Sequence, residues 1–274
     1  MKMHRMNAVR LLAKKDVMRT LKTPGAYLAF VLACIAILVY SWIFTQIRSG
    51  LGTAEYQSEA FISVSLWISI SIFSLYIALS SVNAIARERQ DRTLEVLFYG
   101  PVDERSFILG KYIAKMITYV LLMAAAVVFI AALSIVLGVG LSQTLIKLPI
   151  MSVLLASCII SLGIMLSALT SGVTSAIFLL IVFMAAMVGI KIAGLILGLI
   201  PGFIHPLVSA AKDISVTLLS VTQLISPVEY LGLGLYAISS SDPLSYLKAF
   251  LYPAAYSAAL LLLSTYIIKR RGVR

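Results

Sequence analysis

The sequence predicts an all-α integral membrane protein with six transmembrane helices, and three observations carry that prediction. Of its 274 residues, 61% are hydrophobic and 12% charged, where soluble domains run at about half and a quarter. The mean hydropathy is +1.03. The apolar residues fall in six continuous runs of roughly 20 residues or more, the length that crosses a bilayer as a helix. This excludes a soluble domain, a disordered chain, a secreted disulfide scaffold and a fibrous protein, because only lipid tolerates so much apolar surface. The runs do not alternate and are too long for barrel strands, which argues against a β-barrel.

The first element lies before the first run. Over residues 6–22, Met6, Val9, Leu12, Ala13, Val17 and Leu21 share one face, while Arg10, Lys14, Lys15, Arg19 and Lys22 lie mostly on the other. Leu11 and Met18 fall off the stripe. A basic amphipathic helix of this kind lies in the headgroup layer, held by apolar burial and anionic lipid. Thr23-Pro24-Gly25 ends it. It serves either as an orientation anchor or as a contact for another protein.

The spans follow at about 26–47, 60–84, 113–137, 149–170, 174–198 and 249–268. The run after the basic start could mimic a signal peptide, and Val31-Leu32-Ala33-Cys34 approaches a lipoprotein cleavage box. The apolar stretch nevertheless continues through Ile35–Val39, so it reads as an uncleaved span. Seventeen of the 22 Lys and Arg lie in the N-terminal segment, the 85–115 connection and the tail, four lie on the opposite side, and Lys191 lies within a span. An even number of spans puts the three basic regions on one side, so both termini are expected in the cytoplasm and the chain in the cytoplasmic membrane. The chain is expected to be one six-span domain over 1–274. Its parts are 1–25, spans 1–2 over 26–84, a connection at 85–112, spans 3–5 over 113–198, an outer segment at 199–248, and span 6 with its tail over 249–274.

The 85–112 connection is the most informative stretch. Six basic and five acidic residues mix over 85–115, so it is more than a positive tether. Asp91 is placed to N-cap a short helix and Gly100-Pro101 to end it, displaying Leu94, Leu97 and Phe98 among charges of both signs. Such a surface suits protein docking; the plainer reading is a solvated loop whose apolar residues tuck against the membrane.

Asp91-Arg92-Thr93-Leu94-Glu95-Val96-Leu97, then Gly100-Pro101-Val102, then Leu109-Gly110-Lys111 resembles the signature of permease subunits of type-2 ABC transporters. Arg92 stands where that family usually has Gly, and Asp103-Glu104-Arg105 where it has Ser-Arg. The resemblance covers the whole chain. Ser226-Pro227-Val228-Glu229-Tyr230 and Lys269-Arg270-Arg271 are also similar to the gliding-motility and nitrous-oxide-reductase-maturation branch. The resemblance implies an exporter permease with an N-terminal elbow helix. It also implies a coupling helix between spans 2 and 3 that seats in an ATPase subunit, with Arg87, Glu88, Asp91, Arg92, Leu94, Glu95, Leu97, Pro101 and Arg105 as contacts. The implied partners are two copies of an ABC ATPase subunit carrying ATP and Mg, a second permease copy or paralogue, and membrane lipids.

Within the membrane, Lys191 lies about eight residues, ~12 Å of helix, from the outer end of its span. It could line a pathway or form an ion pair between helices; the sequence favours the plainer reading, snorkelling to the interface. Gly194, Gly198 and Gly202 leave a bare strip suited to close helix approach, within the subunit or against a partner permease. Residues 214–221 are too short and polar to span and suit a re-entrant or interfacial helix.

Catalytic and metal residues are not expected. Gly110-Lys111 lacks the rest of a phosphate-binding loop, so nucleotide chemistry belongs to a partner. His4 and His205 are the only histidines, too few for a histidine metal site. Cys34 and Cys158 lie inside apolar runs and read as inert. The +11 charge is a topological signal and not a nucleic-acid footprint. A gradient-driven carrier would need ionisable groups at mid-membrane, which Lys191 alone does not supply. A non-transporting scaffold that recruits a cytoplasmic protein through 87–105 is the other alternative.

Overall fold

The computed structural model describes residues 2–47, 54–92, 103–199, 217, 220, 222, 225–240 and 243–271. Among these residues there is no strand, and the helices are α1 (Lys2–Lys22), α2 (Pro24–Ile47), α3 (Ala54–Gln90), α4 (Glu104–Val136), α5 (Thr144–Leu169), α6 (Val173–Leu199), α7 (Pro227–Ser240) and α8 (Pro243–Arg271). Six of them, α2 to α6 and α8, are long and apolar enough to cross a membrane. They coincide with the six apolar runs of the sequence, because each run must satisfy its own backbone hydrogen bonds in lipid.

Pro24 carries no N–H and so cannot extend α1, but it suits the first turn of α2. The break is one residue wide: the Thr23 hydroxyl donates back to the Arg19 carbonyl at 2.6 Å. α1 packs along α4 and against α2. Ala13 and Thr20 are buried there, while Leu11 and Met18, the two residues off the apolar stripe, point outward.

The 85–112 connection differs most from expectation. α3 continues to Gln90 and α4 begins at Glu104, so much of the stretch is helical extension of two spans. Charge does not end a helix, and packing persists at this level: Ile85, Ala86, Phe107 and Ile108 are fully buried. Asp91 belongs to the close of α3, its N–H donating to the Arg87 carbonyl at 2.9 Å. Arg92 follows with φ 54°, a left-handed conformation that favours glycine.

α5 is the central post, packed against α3, α4, α6, α7 and α8. Its closest approach is to α3. A Cβ on Gly163 would stand 2.7 Å from Ser81 Cβ and 3.3 Å from the Val82 nitrogen. One turn on, the Ser167 hydroxyl accepts from the Ile85 and Ala86 amides at 3.1 and 2.8 Å. This Gly-x-x-x-Ser spacing lets the backbones meet, and dispersion and hydrogen bonding hold them in lipid. α6 rests on α3 and α5, and its outward side, including Phe178, Ile181, Val188 and Ile192, stays exposed. α7 has 14 residues, too few to cross a bilayer, and packs on α8 and α5. The Tyr256 hydroxyl of α8 donates to the Ile225 carbonyl at 2.9 Å. Of the expected short helix at 214–221, only Thr217 and Ser220 lie among the described residues, both helical.

Candidate functional site

The candidate site lies at the end of the bundle where α1, the close of α3 and the start of α4 come together, with the α5–α6 turn on the other flank of α3. Its centre is Lys111, which α4 carries one turn after Phe107. The Lys111 side chain is 8% exposed, and its ammonium sits 2.7 Å from Asp16 of α1 while also pairing with Glu88 of α3. It lies 5.5 Å from the centre of the Phe107 ring, a cation–π contact strengthened by desolvation. One cation therefore ties three helices together. A buried ammonium with two carboxylate acceptors is well satisfied, whereas removing any partner strands a charge.

One turn further along α4 the Lys115 ammonium donates to the Ser80 hydroxyl at 2.7 Å and the Thr20 hydroxyl at 3.5 Å. The last turn of α3 is held from its other side as well. Arg89 donates to the carbonyls of Ala168 and Thr170, and the Val173 amide donates to Gln90 Oε1 at 3.3 Å. The end of α3 is thereby clamped between α1 and α4 on one flank and the α5–α6 turn on the other.

Among the site residues expected from the sequence, Glu88 is turned inward to Lys111. Arg87 and Asp91 form an exposed i,i+4 pair at 3.9 Å, the kind that contributes little. Arg92 and Arg105 are exposed at the two lips of the connection. Leu94, Glu95, Leu97 and Pro101 lie outside the described residues. Asp16, Lys111 and Lys115 were not among the expected site residues. Asp16 is the one acidic residue of the basic α1, and Lys111 closes the Leu-Gly-Lys motif; neither signal names its partner.

At the opposite end of the bundle, Lys191 of α6 is ion-paired with Glu229 of α7. The snorkelling favoured from sequence gives way to the interhelical pair, because α7 returns a carboxylate to the level of the lysine. Glu229 is the single carboxylate of α7, and no local pattern links it to a lysine 38 residues earlier. Gly194 is partly exposed on α6 and Gly198 lies near its end, while Gly202 is outside the described residues. Among the described residues, Gly163 makes a close helix contact of the same kind. No group of three or more His, Cys, Asp or Glu suited to a metal occurs among the described residues.

A search of curated proteins finds no match to this sequence. Residues 11–273 match the model of a family described as ABC-2 family transporter protein. The match takes in α1 from Leu11, every span and the basic tail up to Val273, so this multi-pass membrane protein belongs to the ABC-2 transporter family, as a membrane permease component and not the ATPase.

Proposed function

We propose that the chain is the membrane-spanning subunit of an exporter in the cytoplasmic membrane, with both termini in the cytoplasm. A separate ATPase subunit, present in two copies, would bind ATP and Mg and drive transport. One six-span domain over 1–274 supplies half of a pathway, and a second copy or a paralogue supplies the other half. Residues 87–105 would seat in the ATPase, with Arg87, Asp91, Arg92, Leu94, Glu95, Leu97, Pro101 and Arg105 at the contact and Glu88 holding the helix behind it. Gly194 and Gly198 would face the partner permease.

The observation that supports this best is mechanical. α3 and α4 run unbroken from the membrane to the two lips of the 91–103 connection, and Lys111 and Arg89 clamp those ends. A push on the connection would therefore tilt two spans as rigid levers instead of being absorbed in a loop. A gradient-driven carrier has less support, since Lys191, the one charge deep in a span by sequence, is paired with Glu229.

Co-purification tests the reading. The tagged chain, co-expressed with its neighbouring gene products in mild detergent, is expected to carry a stoichiometric ATPase and to hydrolyse ATP. Glu95→Arg with Leu97→Asp should lose that partner while the permease stays folded. Absence of any ATPase under all conditions would overturn the proposal.

A further inference from the structure

A cavity of about 280 Å³ opens beside the Lys111 cluster, between α1, the start of α2, α3 and α4. Four cations line it, Arg19, Arg87, Lys111 and Lys115, against two carboxylates, Asp16 and Glu88. Both carboxylates are engaged by Lys111, and Arg87 leans outward to Asp91. Lys115, 7% exposed, is left with two neutral hydroxyls as acceptors. The Asp16 carboxylate acts on Lys115 from nearby but is taken up in the ion pair with Lys111, so the buried ammonium gains from a further anion. Arg19 is exposed at the rim, with no carboxylate in ion-pair contact among the described residues.

The remaining walls point to more than a bare anion. Tyr76 and Leu79 give one apolar side. Asn83 Oδ1 is buried with no hydrogen-bond partner among the described residues, an acceptor suited to a hydroxyl or amine on the ligand. Gly25 belongs to the first turn of α2, whose amides have no partner within the helix and favour anions. It also lies close enough to α3 that a Cβ there would stand 3.3 Å from the Tyr76 ring. The cavity sits where α1 gives way to the first span at Pro24, which is the level of lipid headgroups.

We propose that this cavity binds the phosphate of a lipid headgroup, with Lys115 and Arg19 on the phosphate oxygens and Asn83 on a headgroup hydroxyl or amine. The site pins α1 to the spans beside Lys111 and stands whether or not an ATPase docks on 87–105.

Native mass spectrometry of the purified full-length chain tests it, with phosphatidylglycerol and phosphatidylcholine titrated separately and glycerol phosphate as the free-phosphate arm. One phosphatidylglycerol per chain is expected to be retained in preference to phosphatidylcholine. Arg19→Gln, a change at an exposed position, should weaken that retention about fivefold, as should Lys115→Gln, while Lys115→Arg keeps it. If Lys115→Gln does not fold, Arg19→Gln alone decides. Equal retention of the two lipids by the unmodified chain would overturn the site, as would wild-type phosphatidylglycerol retention in Arg19→Gln. Glycerol phosphate binding as tightly as the lipid, and lost in the same variants, would overturn the lipid as the source of the phosphate.

Discussion

At the scale of single residues, Lys111 and Arg92 make opposite demands on the chain. Lys111 is held by two carboxylates in a place where water does little to screen them. Lys111→Met keeps the stem but strands Asp16 and Glu88 together, and should cost about 3–5 kcal/mol. Adding Asp16→Asn and Glu88→Gln removes the stranded charges and should recover most of that loss. Thermal unfolding in detergent distinguishes the two; equal midpoints for the single and triple variants would show that the cluster does not hold α1, α3 and α4 together. Arg92 is a matter of backbone strain. Its φ of 54° costs a side-chain-bearing residue about 1 kcal/mol relative to glycine. Arg92→Gly should therefore raise the unfolding midpoint and Arg92→Val lower it. A drop with glycine would mean that the guanidinium makes a stabilising contact that outweighs the strain.

At the scale of elements, the α3–α5 crossing organises the bundle. Gly163→Ala places a methyl carbon 2.7 Å from Ser81 Cβ, with backbone directly behind it. Separating the helices or shifting their register should cost about 1–3 kcal/mol, and the Ser167 bonds to the Ile85 and Ala86 amides would weaken with it. Ser81→Gly should restore part of the loss in the double variant, which a folding defect elsewhere would not allow; unfolding midpoints of the two singles and the double check this. The six spans were legible in the sequence because lipid dictates both their length and their composition. Their ends were not. Charges at 87–90 and 104–111 read as loop, yet charges continue a helix readily when they are solvated, as Arg87 and Arg105 are, or paired, as Glu88 and Lys111 are, with Ile85 and Phe107 buried beneath them. The pairs were not legible either. Glu88 and Lys111 are 23 residues apart and Asp16 and Lys111 are 95 apart, distances over which only the fold chooses partners. The same holds for Lys191, whose snorkelling reading assumed that nothing outside its own span came back to meet it. The glycine strip at Gly194 and Gly198 stood out for its regular spacing, whereas Gly163 was hidden among the many small residues of α5.

At the scale of the whole molecule, the clamp and the charge bias bear on the same question, which side of the membrane the connection between α3 and α4 faces. The crossings alternate, so Lys14 of α1, Arg105 at the start of α4 and the tail share one side, while the α4–α5 turn lies on the other. Seventeen of the 22 Lys and Arg are on the α1 side, which the positive-inside rule assigns to the cytoplasm. Single cysteines in a Cys34→Ala, Cys158→Ala background make this measurable, since Gln143 and Lys14 are both exposed. A membrane-impermeant maleimide should label Gln143→Cys on intact cells and Lys14→Cys only after permeabilisation. The reverse pattern would reach beyond topology. It would turn the clamped ends of α3 and α4 outward, away from any cytoplasmic ATPase, and the lever that Lys111 and Arg89 build would have nothing to push it. Orientation and coupling therefore stand or fall together, and the labelling pattern decides both before any substrate is known.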